Sequence, residues 1–370
     1  MVLGNVLNSP ARRRRHRRAN GLLFSIRQGI TALIAFIAAT LLLGQMMPGA
    51  PIPSNVVFIG PKYDYYQAHK DDYNALFFGS SRVYSHIIPA VFDEVAQANN
   101  VAVNSYNFGI PAMRSIDSTV LLETVLANPP KNLKWVFFES ILDKGYEPFP
   151  NARTHRAMYW HNWKNTAFAA RYILSSDESL PQKAVLLSSH LLPFLYHQMN
   201  VGRWVEQISP SEFSAGEKEV VAEFTASEGY YALTDESDPR RQDFLHNLAD
   251  YQAQVANLSE FQSGSALAEP YLSDNKAMLL RRVSKVVQSV GAEPIFIEPP
   301  SLHFPDDFAA ARQLGTIAHL LSYKDPARFP QLYQVDRRYD ADHLNESGSR
   351  EFTRLLSEDF SAIAQSNPSK

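Results

Sequence analysis

Short apolar runs alternate along the chain with longer amphipathic ones. "ALFFG" (75–79) precedes "PAVFDEVAQANN" (89–100), "VAVNSYNFG" (101–109) precedes "SIDSTVLLETVLAN" (115–128), and "KWVFFES" (134–140) follows "PPKN". Almost wholly apolar short runs read as strands covered on both faces, and the stretches between them as helices. The pattern predicts an α/β fold: a three-layer, flavodoxin-like parallel sheet. The rhythm pauses over 145–270, where aromatics and helix-like segments follow one another without strand signals. It resumes with a helix over 272–290, closed by Gly291 as a C-terminal cap, then a strand at 293–298 and a helix over 306–323. A short fifth strand is expected at 332–336 and an amphipathic closing helix at 345–365. A loop as long as 145–270 does not persist in a compact domain without structure of its own, so a helical cap is expected there.

The N-terminus follows a different pattern. "QGITALIAFIAATLLLGQMM" (28–47) carries no charge and has the length a helix needs to cross ~30 Å of hydrocarbon. Arginines crowd the residues before it, and "PGAPIP" breaks the helix after it. The positive-inside rule then keeps the N-terminus cytoplasmic and exports the rest. A cleaved signal peptide is the competing reading, although its apolar core is normally shorter. The expected organisation is a basic tail (1–27), a spanning helix (28–47) and a linker (48–72). The α/β domain (73–144 and 271–365) follows, interrupted by the cap (145–270). This points to the cytoplasmic membrane, crossed once, with the domain in the periplasm or outside the cell.

Charge and composition narrow the partners. The 370 residues carry a formal net charge of −3, but seven of the 35 basic residues are arginines within the first 28 positions, which hold no acid. The remainder has 28 basic against 38 acidic residues. Such an acidic body argues against nucleic acid as partner, because phosphate backbones require a basic face. The chain has no cysteine, which excludes thiol catalysis, thiolate metal sites and lipoprotein attachment. No His-Glu-x-x-His motif, carboxylate cluster, P-loop or Gly-x-Gly-x-x-Gly stands out, so no metal or cofactor is expected.

In open α/β sheets, ligands bind beyond the carboxyl ends of the strands. Gly79–Ser80–Ser81, Gly109, Glu139–Ser140 and Glu298 stand at four such ends. Near the C-terminus, "YDADHLNESG" places Asp340 three residues before His343, ahead of a capped helix start. That spacing sets a carboxylate beside an imidazole, so Asp340 can accept from Nδ1–H and leave Nε2 as a base. A serine hydroxyl needs such a base to become a nucleophile, and Ser81, His343 and Asp340 form a candidate triad.

These blocks in this order resemble the SGNH (GDSL-like) hydrolase superfamily, over about 65–145 and 270–365. "FFGSSR" matches its first block, with Ser81 as nucleophile and an oxyanion-hole amide, and Ser80 where many members have aspartate. "NFGIPA" matches the second, with Gly109 as an oxyanion-hole amide, and "DADHLN" the last. The third block usually supplies an asparagine as an oxyanion donor; "FFESILD" has none at that strand end. With a single N-terminal anchor, the chain looks most like the membrane-tethered branch that assists acetylation of exported polysaccharides or D-alanylation of teichoic acids. The resemblance implies acyl transfer through Ser81 to a sugar hydroxyl of a cell-envelope glycopolymer, or hydrolysis with water as acceptor. It further implies a membrane-embedded acyl-donor protein as a partner. The alternative is a non-catalytic scaffold of the same fold in a polysaccharide export or acylation complex.

The candidate substrate-binding residues are Arg82, Asn107, Glu139 and Ser140 at the strand ends, with Tyr159, Trp160 and Trp163 in "HRAMYWHNWKN". Arg82 holds an anionic group, caps a helix or pairs with Glu139. The aromatics form a platform for sugar rings, or Tyr159 and Trp163, four apart on a helix, are core residues of the cap.

Overall fold

In a computed structural model of the chain, the described residues are 10–46, 51–139, 151–208, 212–265, 269–302 and 307–366. They fall into two compact units, the first drawn from 1–48 and 195–210 and the second from 49–194 and 211–370.

The second unit is built on five parallel strands in the order β2-β1-β3-β4-β5. These are β1 (Ala75–Gly79), β2 (Ser105–Gly109), β3 (Trp135–Phe138), β4 (Glu293–Glu298) and β5 (Leu320–Ser322). This is the flavodoxin-like order, with β1 at the switch point where the winding reverses. Gly79 pairs with Gly109 and Phe78 with Phe138, so three strands end at one level.

Alternation within β1 divides the core. Leu76 and Phe78 point into one apolar layer with Tyr106, Phe108, Val136, Phe138 and Phe296. Ala75 and Phe77 point into the other with Phe137, Ile295 and Ile297. Both faces are covered, which is why the strands read as unbroken apolar runs. Each Phe or Leu so buried contributes about 1.5–3 kcal/mol.

Helices flank the strands in the described residues. Those before β2 are α1 (Pro10–Met46), α2 (Ile59–His69), α3 (Ser81–His86) and α4 (Pro89–Ala98). After β2 come α5 (Ser115–Leu126), α6 (His155–Met158), α7 (Trp163–Leu174), α8 (Leu180–Gln198) and α9 (Val201–Ile208). Then follow α10 (Ala215–Ala226), α11 (Pro239–His246), α12 (Leu248–Ser265), α13 (Asp274–Ser289), α14 (Asp307–Gln313) and α15 (Glu346–Ser366). Residues from α2, α5, α7, α13 and α14 cover the Phe78 face, and residues from α4, α12 and α15 the Phe77 face.

Three expectations change. The stretch 306–323 is not one helix: α14 is short, Gly315 turns the chain at φ 69°, and 320–322 add the edge strand β5. The expected strand at 332–336 is replaced by two 3-10 turns, Pro330–Leu332 and Val335–Arg337, whose Leu332 and Tyr333 are inserted into the core instead of a ladder. Residues 48–72, expected as a linker, contain α2, whose Ile59 and Tyr66 are buried, as are Ile52 and Val56 before it.

One buried cation fastens α2 to the sheet. Lys62 is fully buried, and its Nζ donates to the carbonyls of Asn107 (2.9 Å), Gly109 (2.8 Å) and Gly229 (2.5 Å). The rings of Tyr84 and Phe224 lie 4.5 and 5.4 Å from it. Burial pushes its pKa well below the ordinary lysine value, while three acceptors and two ring faces match an ammonium group.

Within the second unit, helices α7, α11 and α12 pack directly on the sheet. Trp160, Ala169 and Tyr172 join one face's core, and Phe244, Tyr251 and Leu258 the other's. Glu228 O accepts from Asn107 N, and Tyr231 N donates to Tyr84 O, so the 228–231 stretch lies along β2 and α3.

In the first unit, Ile26–Gly44 of α1 is long and apolar enough to cross a membrane, as a membrane anchor or a signal sequence would be. Asn200, just before α9, bonds to the Gly44 carbonyl near the end of α1.

The close approach of α3 to β2 generates a prediction. A Cβ on Gly109 would overlap the backbone of Val83 and Tyr84. Backbone cannot yield as a flexible side chain can, so Gly109→Ala is expected to destabilise the second unit by about 3 kcal/mol. The midpoint of denaturant unfolding, followed by aromatic circular dichroism of the detergent-solubilised chain, checks this.

Candidate active site

The serine turn is set by β1 and by one carboxylate. Where β1 ends, Ser80 leaves the sheet and caps α3, its Oγ accepting from Arg82 N at 3.2 Å. Ser80 donates from both its amide and its hydroxyl to Glu139 Oε2, each at 2.8 Å, and Arg82 Nε donates to Glu139 Oε1 at 2.9 Å. The Arg82–Glu139 pair is almost wholly buried. Glu139 therefore holds the turn from the end of the neighbouring strand, and Ser81 stands as the first residue of α3.

The acid–base loop is a tight turn between a bridge of Arg338 to Leu344. Asp340 Oδ1 accepts from the amides of Asp342 and His343, both at 2.8 Å. His343 Nδ1 lies 2.9 Å from both Asp340 oxygens, and His343 Nε2 lies 2.8 Å from Ser81 Oγ. A carboxylate only accepts, so the proton sits on Nδ1 and Nε2 is left to accept from the Ser81 hydroxyl. Burial raises the Asp340 carboxyl, but the hydrogen bond and charge of His343 and the two amides outweigh it and hold the group below its ordinary value. The geometry is that of a serine nucleophile, a general base and an orienting acid.

Side chains that carried no motif hold this loop in place. The amide of Leu344 donates to His86 Nε2 at 3.0 Å, and the His86 ring packs edge-on to His343. Arg241 of α11 donates to the carbonyls of Arg338 and Tyr339, and Tyr339 Oη to that of Asp235. The insertion thus clasps the turn from outside. Along α15, Ser349 donates to Ser85 O, Thr353 to His86 O and Ser357 to Phe92 O. Spaced four apart, they line one face of the helix and knit it to α3 and α4.

Several candidate ligand residues are internally committed. The amide of Gly109, expected as an oxyanion donor, is taken by Asn107 Oδ1 at 2.7 Å. Asn107, expected near substrate, is fully buried and gives its Nδ2 protons to Val83 O and Ile87 O. Arg82 and Glu139 are paired with each other. Ser140 lies outside the described residues. Among the described residues, the amide of Ser81 has no partner. Nor has that of Ala112, which takes φ 57° in the turn after β2.

The aromatic cluster divides differently from either expectation. Trp160 is buried and stacks on His161 at 3.6 Å, and Tyr159 is half-buried against the same core. Trp163, expected as core beside Tyr159, is 71% exposed and meets Phe194 edge-on. Among the described residues no group of His, Asp and Glu has the arrangement of a metal site.

Compared with known proteins, the chain matches no family model and no curated protein.

His86 generates a pH prediction. Burial first, then the charges of His343, Arg338 and Arg82, push its pKa well below the ordinary value. Below about pH 6.5 the unfolded chain takes up a proton that the folded chain refuses, so stability falls as pH falls, by at most about 1.4 kcal/mol per unit. His86→Gln keeps an acceptor for Leu344 N–H and is expected to flatten this acid limb. His86→Phe removes the acceptor and is expected to cost about 1–3 kcal/mol at pH 7. Denaturant titrations at pH 7 and pH 5 check both.

Proposed function

We propose that the chain is a membrane-anchored, extracytoplasmic serine acyltransferase of SGNH type, acting on a cell-envelope or exported polysaccharide. The observation that carries this reading is the continuous chain Ser81 Oγ to His343 Nε2, and His343 Nδ1 to Asp340. Arginines ahead of an apolar span support α1 as an anchor whose following chain is exported.

In the first half-reaction the Ser81 hydroxyl gives its proton to His343 Nε2 as Oγ attacks the acyl carbonyl of the donor. Collapse of the tetrahedral intermediate breaks the bond to the leaving group, which takes the proton from Nε2, and an acyl-serine remains. In the second, a sugar hydroxyl gives its proton to Nε2 and attacks the acyl-serine. Collapse expels Ser81 Oγ, which recovers the proton. Water as acceptor makes the same cycle a hydrolysis. Asp340 holds the ring and stabilises its charged form. The amides of Ser81 and Ala112 follow adjacent strands and are unpaired among the described residues, which suits them to a developing oxyanion. No asparagine stands at the end of β3, and Glu139 there spends its carboxylate on Ser80 and Arg82, so two backbone donors carry that stabilisation in this reading.

Ser81→Ala and His343→Ala are each expected to abolish covalent labelling by a fluorophosphonate probe and to lower turnover by roughly 10⁴–10⁶-fold. In cells, Ser81→Ala is expected to lower the acyl content of the surface polysaccharide. A rise in acyl content would identify an esterase. Unlabelled but folded wild-type protein, with acyl content unchanged in the variant, would leave the scaffold reading.

A further inference from the structure

The first unit contains an amphipathic surface that the serine chemistry does not use. In "VGRWVEQI" (201–208), Val201, Trp204, Val205 and Ile208 fall at positions i, i+3, i+4 and i+7, one stripe of the helix. Val205 is 49% and Ile208 81% exposed. A helix of two turns is marginal in water and is held by whatever covers its apolar face.

The position of α9 identifies what covers it. Asn200 Nδ2 donates to Gly44 O at 2.7 Å, and Gly44 is the last residue of the apolar stretch Ile26–Gly44. The contact is close because position 44 has no side chain: a Cβ there would press on the Asn200 Cβ. The start of α9 is thus fixed to the end of the span, where hydrocarbon gives way to headgroups. At the same end, Leu42, Leu43 and Met46 are 68%, 49% and 79% exposed. An apolar stripe fixed at that depth meets lipid through its exposed members, Val205 and Ile208.

We propose that α9 is an interfacial helix, lying in the phospholipid headgroup layer at the outer foot of α1 with Val205 and Ile208 in the acyl boundary. This rests on α1 remaining as an uncleaved anchor. It assigns the first unit a second attachment to the bilayer, distinct from the span itself.

The absence of cysteine allows a clean test. Single variants Leu33→Cys, Arg203→Cys, Val205→Cys and Ile208→Cys of the full chain are labelled with an environment-sensitive fluorophore and reconstituted, at high lipid-to-protein ratio, into phosphatidylcholine vesicles with or without doxyl-labelled phosphatidylcholine. The expected result is blue-shifted emission, quenched at least twofold by doxyl lipid, at positions 33, 205 and 208, with little change at 203. Quenching at 33 without quenching at 205 and 208 overturns the interfacial helix and leaves the anchor standing. Blue-shifted but unquenched emission at 205 and 208 means that protein covers the face, and also overturns it. Loss of quenching at 33, or removal of α1 from the mature protein, overturns the anchor and the inference with it.

Discussion

The seam between α3 and α15 is the constraint on which the site depends. Ser81 and His343 are separated by 262 positions, and nothing local brings them together. What does so is a row of short hydroxyl side chains, Ser349, Thr353 and Ser357, that replaces bulky packing with direct bonds to the carbonyls of α3 and α4. Small residues let the two elements approach closely, and buried carbonyls left without such donors would carry a desolvation cost of about 1–3 kcal/mol each. The Leu344–His86 bond extends the seam one step beyond the helix, to the residue beside the imidazole. The Ser81–His343 contact and the packing of α15 on α3 are therefore one structure and stand or fall together.

A second layer of order lies within the strand ends. Glu139 and Asn107 each use their polar groups on the backbone or side chains of neighbouring turns: the carboxylate gathers Ser80 and Arg82, and the amide gathers Gly109 and α3. Polar groups at the rim of a sheet are often open to ligand; here they brace one another. This selective commitment leaves the Ser81 hydroxyl with the imidazole as its partner.

Much of the fold was legible because its signals are local. β1 and β4 read directly from apolar runs, α13 and α15 from their periodicity, and the juxtaposition of Ser81, His343 and Asp340 from the order and spacing of their motifs. β5 was not legible, since three half-buried residues carry no alternation, and Leu332 and Tyr333 mimic a strand while plugging the core. The loss of Gly109 as a donor could not be read either, because whether Asn107 turns back on its own strand depends on the approach of α3. Trp160 and Trp163 stand three apart with opposite fates, decided by which face of the preceding turn meets the core. The Arg82–Glu139 pair spans 57 positions and carries no local signal, because it depends on the register of β1 and β3 that sets the two strand ends side by side.

Lys62 bears on how this domain is made. Its three carbonyl partners lie 45, 47 and 167 residues downstream, so no cavity for its charge exists while the chain is emerging. The ammonium group must stay hydrated until β2 is laid down and the stretch around Gly229 has returned to it. Non-local closures of this kind are slow. Assembly of the α2–β2 edge is consequently deferred until more than half of the polypeptide has been delivered, and a chain arrested before that point would display an uncapped parallel strand to whatever lies nearby.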